Sequence, residues 1–214
     1  MIWLDGHLVS PGLGGVYGEQ MVQGLRVWDP KRSKLAALYH IGKGPELEQK
    51  DRVLYLGAAN GTTVSHIADY TDVVYAVERA PRPMQDLLIV ARQRKNIIPI
   101  LADAGRPELY VPIVEMVDLL YQDVASPQQV DILIRNISFL EPDGNLVLML
   151  KPKCIDVTRS PRDVAQEAWA DLEEKGVLIQ DQVWLLPNYP DHVAFLCKRS
   201  ERDKKQSNEY SLSK

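Results

Sequence analysis

Val53-Leu54-Tyr55-Leu56-Gly57-Ala58-Ala59-Asn60-Gly61-Thr62-Thr63 is an apolar run that stops at a small-residue turn and resumes as a helical pattern. Val53 to Leu56 suits a buried parallel strand, and the glycines at 57 and 61 let a ligand approach the backbone closely. Thr62 or Thr63 then opens a helix. About twenty residues on, Val73-Val74-Tyr75-Ala76-Val77 ends in Glu78, a carboxylate placed to accept hydrogen bonds from both hydroxyls of a ribose. A glycine turn followed by an acidic end to the second strand points to an adenosine-containing cofactor. The dinucleotide fingerprint needs G-x-G-x-x-G, whereas this turn reads Gly57-x-x-x-Gly61, which favours S-adenosylmethionine over NAD. A plain strand-to-helix connection also reads this way, so the rest of the chain has to decide.

Outward from this stretch, apolar runs alternate with helical patterns. Strands are expected near 53–57, 73–78, 97–102, 117–122 and 145–151, with helices in the gaps. That alternation predicts an α/β fold with a doubly wound parallel sheet, whose ligands bind at the carboxyl ends of the strands. Those ends hold Gly57, Glu78, Asp103, Asp123 and Lys151. The runs Val177 to Leu186 and His192 to Lys198 are separated by Pro187-Asn188-Tyr189-Pro190-Asp191, too short for a crossover helix, so they should form an antiparallel hairpin. A seven-stranded, Rossmann-like sheet closed by such a hairpin is the arrangement of S-adenosylmethionine-dependent methyltransferases. Towards the N-terminus, Ile2 to Val9 with its Asp5-Gly6 turn reads as short hairpin strands. Asp29 before Pro30 reads as an N-cap, predicting a helix from Pro30 to Ile41 with Leu35, Leu38 and Ile41 on one face. On helical geometry alone Lys34 is a solvated lysine. The division expected is a β-hairpin extension and leading helix over 1–50, a methyltransferase domain over 51–199 and a disordered tail over 200–214.

The 214 residues, 45% hydrophobic, bury one α/β core with a small extension. No run of about eighteen apolar residues occurs, nor the basic, apolar, small-residue order of a signal peptide, so a soluble cytoplasmic protein is expected. Cys154 and Cys197 form no C-x-x-C pair and have no clustered histidines, giving a zinc site little support. A net charge of −4 does not suit a protein that grips nucleic acid through one broad basic face; a local patch or helper proteins would be needed.

Several ordered motifs resemble one family: Trp28 to Ala37, Val53 to His66, Asn96-Ile97-Ile98-Pro99-Ile100, Tyr121-Gln122-Asp123-Val124-Ala125, Lys151 to Thr158 and Asp191-His192. Together they resemble archaeal-type fibrillarins, the RNA 2'-O-methyltransferases of box C/D ribonucleoproteins, from about Trp28 to Arg199. The resemblance implies S-adenosylmethionine contacts at Thr62, Thr63, Glu78, Arg79, Asp103, Ala104, Asp123, Val124, Ala125 and Ser126, with Gly57 from the glycine turn. Arg79 and Ser126 depart from the family, which often has an aromatic residue after the glutamate and a glutamine after Asp-Val-Ala. It also implies a form without the glycine- and arginine-rich N-terminal extension of eukaryotic members.

The resemblance further implies a catalytic set of Lys34, Asp123, Lys151 and His192. A ribose 2'-hydroxyl is a weak nucleophile that needs proton removal or stabilisation of its developing alkoxide as it attacks a methyl in line. Lys151 is the candidate base, oriented by Asp123, with Lys34 and His192 placing the ribose and adjoining phosphate. Lys153 is its rival, expected on the opposite face if the strand continues. The implied partners are a Nop-domain scaffold protein, a kink-turn-binding ribosomal-type protein, a box C/D guide RNA and the target RNA, ribosomal with transfer RNA as a second class; no membrane is involved. The competing readings are a stand-alone small-molecule or base methyltransferase and a structural subunit without catalysis.

Overall fold

The computed structural model describes residues 1–199; the tail expected to be disordered lies outside the described residues. The chain opens with β1 (Ile2–Leu4), β2 (His7–Ser10), β3 (Met21–Val22) and β4 (Leu25–Val27), an antiparallel sheet of order β1-β2-β4-β3. Asp5 and Gly6, both at positive φ (49° and 78°), make the tight turn between β1 and β2, the backbone demanded by a two-residue hairpin loop.

The leading helix α1 covers Lys34–His40 and is shorter than expected. Asp29 is not its N-cap: Asp29 Oδ1 accepts from Lys31 N–H (2.8 Å) and its carbonyl from Arg32 N–H (3.1 Å), closing a separate turn. Ser33 caps the helix instead, accepting from Ala36 N–H at 3.2 Å. Ile41 falls at the C-cap and is 37% exposed, so the buried face carries Leu35 and Leu38 without it.

The main sheet follows: β5 (Arg52–Leu56), α2 (Thr62–Ala68), β6 (Val73–Glu78), α3 (Pro81–Gln93), β7 (Ile97–Leu101), β8 (Val117–Gln122), α4 (Gln129–Asn136), β9 (Leu140–Leu150), α5 (Pro152–Ile155), α6 (Pro161–Glu174), β10 (Val177–Trp184) and β11 (Val193–Arg199). Its seven strands run in the order β10-β11-β9-β8-β5-β6-β7. The pairs among β5 to β9 are parallel, while β11 is antiparallel to both β9 and β10. The order reverses between β5 and β8, a switch point where strand ends part to leave a crevice.

Alternation along the strands divides the core in two. Val53 and Tyr55 pack with Leu35, Ile67 and Leu87 of α1, α2 and α3, whereas Leu54 and Leu56 pack with Leu133, Ala168 and Leu172 of α4 and α6. Leu8 and Trp28 share the first of these clusters, so the N-terminal segment is packed on the main core.

A buried charge network, invisible to sequence patterning, reinforces that junction. Arg26 of β4, with no exposed surface, contacts Glu19 (2.6 Å) and Asp69 (2.5 Å) just past α2, and Asp69 also pairs with Arg94 (2.9 Å) at the end of α3. His66, also fully buried, stacks on Trp28 at 5.0 Å between ring centroids. Ser10 Oγ donates to Asp69 (2.6 Å), so His66 Nδ1 must be the donor to Ser10 (2.8 Å), leaving Nε2 to accept from the Tyr17 hydroxyl (2.7 Å).

Candidate active site

The carboxyl ends of the parallel strands border a cavity of about 490 Å3, within the usual range for a small-molecule site. Gly57, Glu78, Asp103, Asp123 and Lys151, read as strand-end residues from the sequence, all line it, as do Arg79, Ala104, Val124, Ala125 and Ser126. Gly57 stands at φ +85°, and a Cβ there would lie 2.8 Å from the Asp123 carbonyl oxygen. The glycine therefore admits the backbone of the neighbouring β8 turn, where Asp123 N–H donates to Leu56 C=O at 2.9 Å. Gly57 thus sets the position of Asp123.

Glu78 ties two turns together. Its Oε2 accepts from Ala59 N–H (2.9 Å) and its Oε1 from Ala80 N–H (2.7 Å), so the carboxylate is fixed at the cavity wall. An ionised carboxylate has about four lone-pair positions, which leaves capacity for a pair of ligand hydroxyls. Asp103 accepts from Gly105 N–H at 2.8 Å, and the Ala104 carbonyl is held by Asn136 Nδ2 at 2.8 Å. Volume, glycine-tightened turns and fixed carboxylates at successive strand ends suit an adenosine-containing ligand.

Thr62 and Thr63 do not line this cavity. Thr63, only 9% exposed, donates to Ser33 Oγ at 3.0 Å and so braces the cap of α1. Thr62 faces a neighbouring cleft of about 490 Å3 with Tyr17, Lys31, Arg32 and Asn60.

At the cavity rim Asp123 sits between two lysines. Lys34 Nζ contacts Oδ2 at 2.9 Å, and Lys151 Nζ lies 2.8 Å from Oδ1. Lys151 aims its hydrogen bond at the Asp123 carbonyl, 2.9 Å away; its contact with Oδ1 is one of charge, and that buried oxygen accepts no directed hydrogen bond. All three side chains are 13–16% exposed, open enough to meet a ligand and dry enough to strengthen the charge interactions. Lys34 also lies over the Tyr189 ring at 5.3 Å, and Tyr189 meets His192 edge to face at 5.8 Å. Burial, then the Lys34 ammonium, holds His192 below the ordinary histidine pKa, against the opposing pull of Asp123, so it presents a neutral ring at neutral pH. The four residues named from the sequence are therefore gathered here, with Lys34 and His192 beside the cavity rather than in its lining.

Lys153 is set apart, for a different reason than expected. A continuing strand would have put Lys151 and Lys153 on the same face. The strand instead ends at Leu150, and α5 carries Lys153 outward to pair with Asp191 at 2.7 Å.

The fibrillarin family model matches residues 9–201. The chain belongs to the fibrillarin family. Among its relatives, the fibrillarin-like rRNA/tRNA 2'-O-methyltransferase of Methanoculleus marisnigri is 62% identical over 201 residues, 94% of this chain and 100% of that protein. A fibrillarin solved in complex with Nop5p superposes with a TM-score of 0.87 at 42% identity, covering 92% of this chain and 95% of that one. Aeropyrum pernix fibrillarin, solved with natively bound S-adenosylmethionine, gives a TM-score of 0.77 at 43% identity, with 86% of this chain and 84% of that one covered. Sequence reasoning missed Gln129, which bonds the Lys151 backbone, Gln122, which bonds Gln129, and Tyr189, which lies against Lys34; none belongs to a charge pattern. Among the described residues, no group of three or more His, Cys, Asp or Glu side chains could hold a metal ion, and no helix is long and apolar enough to cross a membrane.

Proposed function

We propose that the chain transfers methyl groups from S-adenosylmethionine to ribose 2'-hydroxyls of ribosomal RNA and transfer RNA, as the catalytic subunit of a guide-RNA-directed particle. The observation that carries this reading is the Asp123 carboxylate held between Lys34 and Lys151 at the rim of a strand-end cavity. When bound, the cofactor supplies an electrophilic sulfonium methyl and leaves as a neutral thioether. Glu78 accepts from the ribose hydroxyls, and Asp103 and the Asp123–Ser126 turn enclose the rest of the adenosine. Gly57, Arg79 and Ala104 complete the wall, and Thr63 acts from behind it by fixing α2 against the cap of α1, whereas Thr62 faces the neighbouring cleft.

Lys151 acts on the 2'-hydroxyl, taking its proton or stabilising the developing alkoxide while that oxygen forms its new bond to carbon. Asp123 orients Lys151 and carries the compensating charge. Lys34 and the neutral His192 sit on the outer side, suited to the phosphate and ribose of the substrate strand. An RNA substrate suits Lys34 and His192, which lie beside the cavity and outside its lining; a methyltransferase for a small molecule would enclose its substrate within the cavity. Residues 51–199 form the transfer unit in this reading, and the segment 1–50 contributes Lys34. The cytoplasm, which holds both cofactor and RNA, is the proposed compartment.

With a net charge of −4, the chain has little intrinsic hold on RNA. Exposed Lys31 and Arg32, beside Lys34, offer a local contact, whereas Lys153 and Arg159 are already paired with Asp191 and Glu167. A Nop-domain scaffold, a kink-turn-binding protein and the box C/D guide supply the missing affinity by tethering. The kinship with a fibrillarin solved with Nop5p supports the scaffold. Reconstitution tests this: methylation of a target requires scaffold, kink-turn protein and guide together, and moves when the guide sequence changes. Efficient site-specific methylation by the purified chain alone would overturn the proposal in favour of a stand-alone enzyme.

A further inference from the structure

Gln129 is the first residue of α4 and has no exposed surface. Its side-chain amide is spent on the backbone of one residue. Oε1 accepts from Lys151 N–H at 2.9 Å, and Nε2 donates to Lys151 C=O at 3.1 Å. The amide pairs with Lys151 as a neighbouring strand would, at the point where β9 has ended at Leu150 and α5 begins at Pro152. Gln129 is itself held from the other side: Gln122 Nε2 donates to the Gln129 carbonyl at 2.7 Å. Gln122 is also fully buried, is the last residue of β8 and immediately precedes Asp123.

We infer that Gln129 is a positioning residue for the methyl-transfer step, fixing the Lys151 backbone so that Nζ stays against Asp123. The inference rests on the catalytic reading of Lys151 given above. The chain Gln122–Gln129–Lys151 links the end of β8 to the end of β9 through buried amides, and the side chains of Asp123 and Lys151 meet across the same gap at 2.8 Å. Lysine has four rotatable side-chain bonds, so its Nζ is placed only as well as its backbone and its contacts are. Buried hydrogen bonds restrict the backbone at low entropic cost during the reaction, whereas a solvated loop would let it drift. An apolar side chain of equal size would fill the same volume and leave the Lys151 N–H and C=O without this partner.

The test uses the full chain in its assembled particle, with single-turnover methyl transfer at saturating cofactor and target, and calorimetric binding of S-adenosylhomocysteine. Gln129→Met should slow transfer on the order of 10- to 100-fold with cofactor affinity unchanged. In a Lys151→Ala background the same substitution should cause no further loss, because both act through one group. A wild-type rate, a fall in cofactor affinity matching the fall in rate, or additive losses in the double variant would each overturn the inference. Should Gln129→Met fail to fold, Gln129→Glu decides: it keeps the acceptor for Lys151 N–H, and a slower rate with intact cofactor binding is expected. A wild-type rate for Gln129→Glu, or its failure to fold as well, makes Gln129 purely structural. Full activity of Lys151→Ala would instead remove the catalytic reading of Lys151, and the positioning role with it.

Discussion

Lys34 Nζ and Asp123 Oδ2 meet at 2.9 Å, joining the first turn of the leading helix to the turn after β8 across the body of the protein. The pair of lysines around Asp123 is therefore incomplete without the N-terminal segment, and α1 is held by more than its apolar face.

Replacing Lys34 by alanine should lower both stability and turnover. The pair is only 13–16% exposed, and Asp123 would keep Lys151 as a partner, so a loss of about 1–2 kcal/mol is expected. Urea unfolding measures this, and single-turnover transfer should fall by more than the fraction unfolded explains. Unchanged stability and rate would show that the contact does nothing.

Glu78→Gln should weaken cofactor binding by about 1–3 kcal/mol in the isolated chain, measured by calorimetry without RNA. Glutamine keeps one acceptor oxygen but turns its NH2 towards one of the Ala59 and Ala80 N–H groups, both of which the carboxylate now satisfies. Unaltered affinity for S-adenosylmethionine would remove the ribose assignment.

Acid should destabilise the fold well above the pH at which carboxylates titrate. Burial, then Arg26 and Arg94, lowers the His66 pKa to about 2. In the unfolded chain the imidazole takes up a proton near pH 6.5, whereas the folded one stays neutral, so the unfolded state binds more protons below that pH. The stabilising contribution is complete above about pH 6.5 and shrinks as pH falls, by about 1.4 kcal/mol per unit. His192, also shifted down, adds in the same direction. Denaturant titrations at pH 7.5, 6.5 and 5.5 check this; constant stability across the series would contradict the buried, neutral His66.

Period and punctuation made the parallel strands, the closing hairpin and the strand-end cluster legible in the sequence, because apolar runs and glycine turns report local backbone demands. The start of α1 was not legible: Asp29 reads as its cap but closes a turn with Lys31, while Ser33, the actual cap, is braced by Thr63 from another element. The same limit applies to Gly57, whose freedom reads as space for a ligand but is filled by the Asp123 backbone. Arg26 and His66 gave no signal, since a buried arginine in a short strand looks like a surface residue until Glu19 and Asp69 surround it. Gln129 is similar: a neutral amide shows no charge pattern, and its role exists only where β9 ends.

The central claim is that Lys151 acts in methyl transfer and not merely in holding the cavity together, and comparison of Lys151→Ala with Lys153→Ala tests it most directly. Both variants are assembled with scaffold, kink-turn protein and guide, loaded with labelled S-adenosylmethionine, and followed through one turnover. Lys151→Ala should bind the cofactor yet lose transfer by on the order of 100-fold or more, while Lys153→Ala, which gives up only an exposed pair with Asp191, should stay near the wild-type rate. An active Lys151→Ala beside an inactive Lys153→Ala would contradict the account and move the catalytic role to the other lysine.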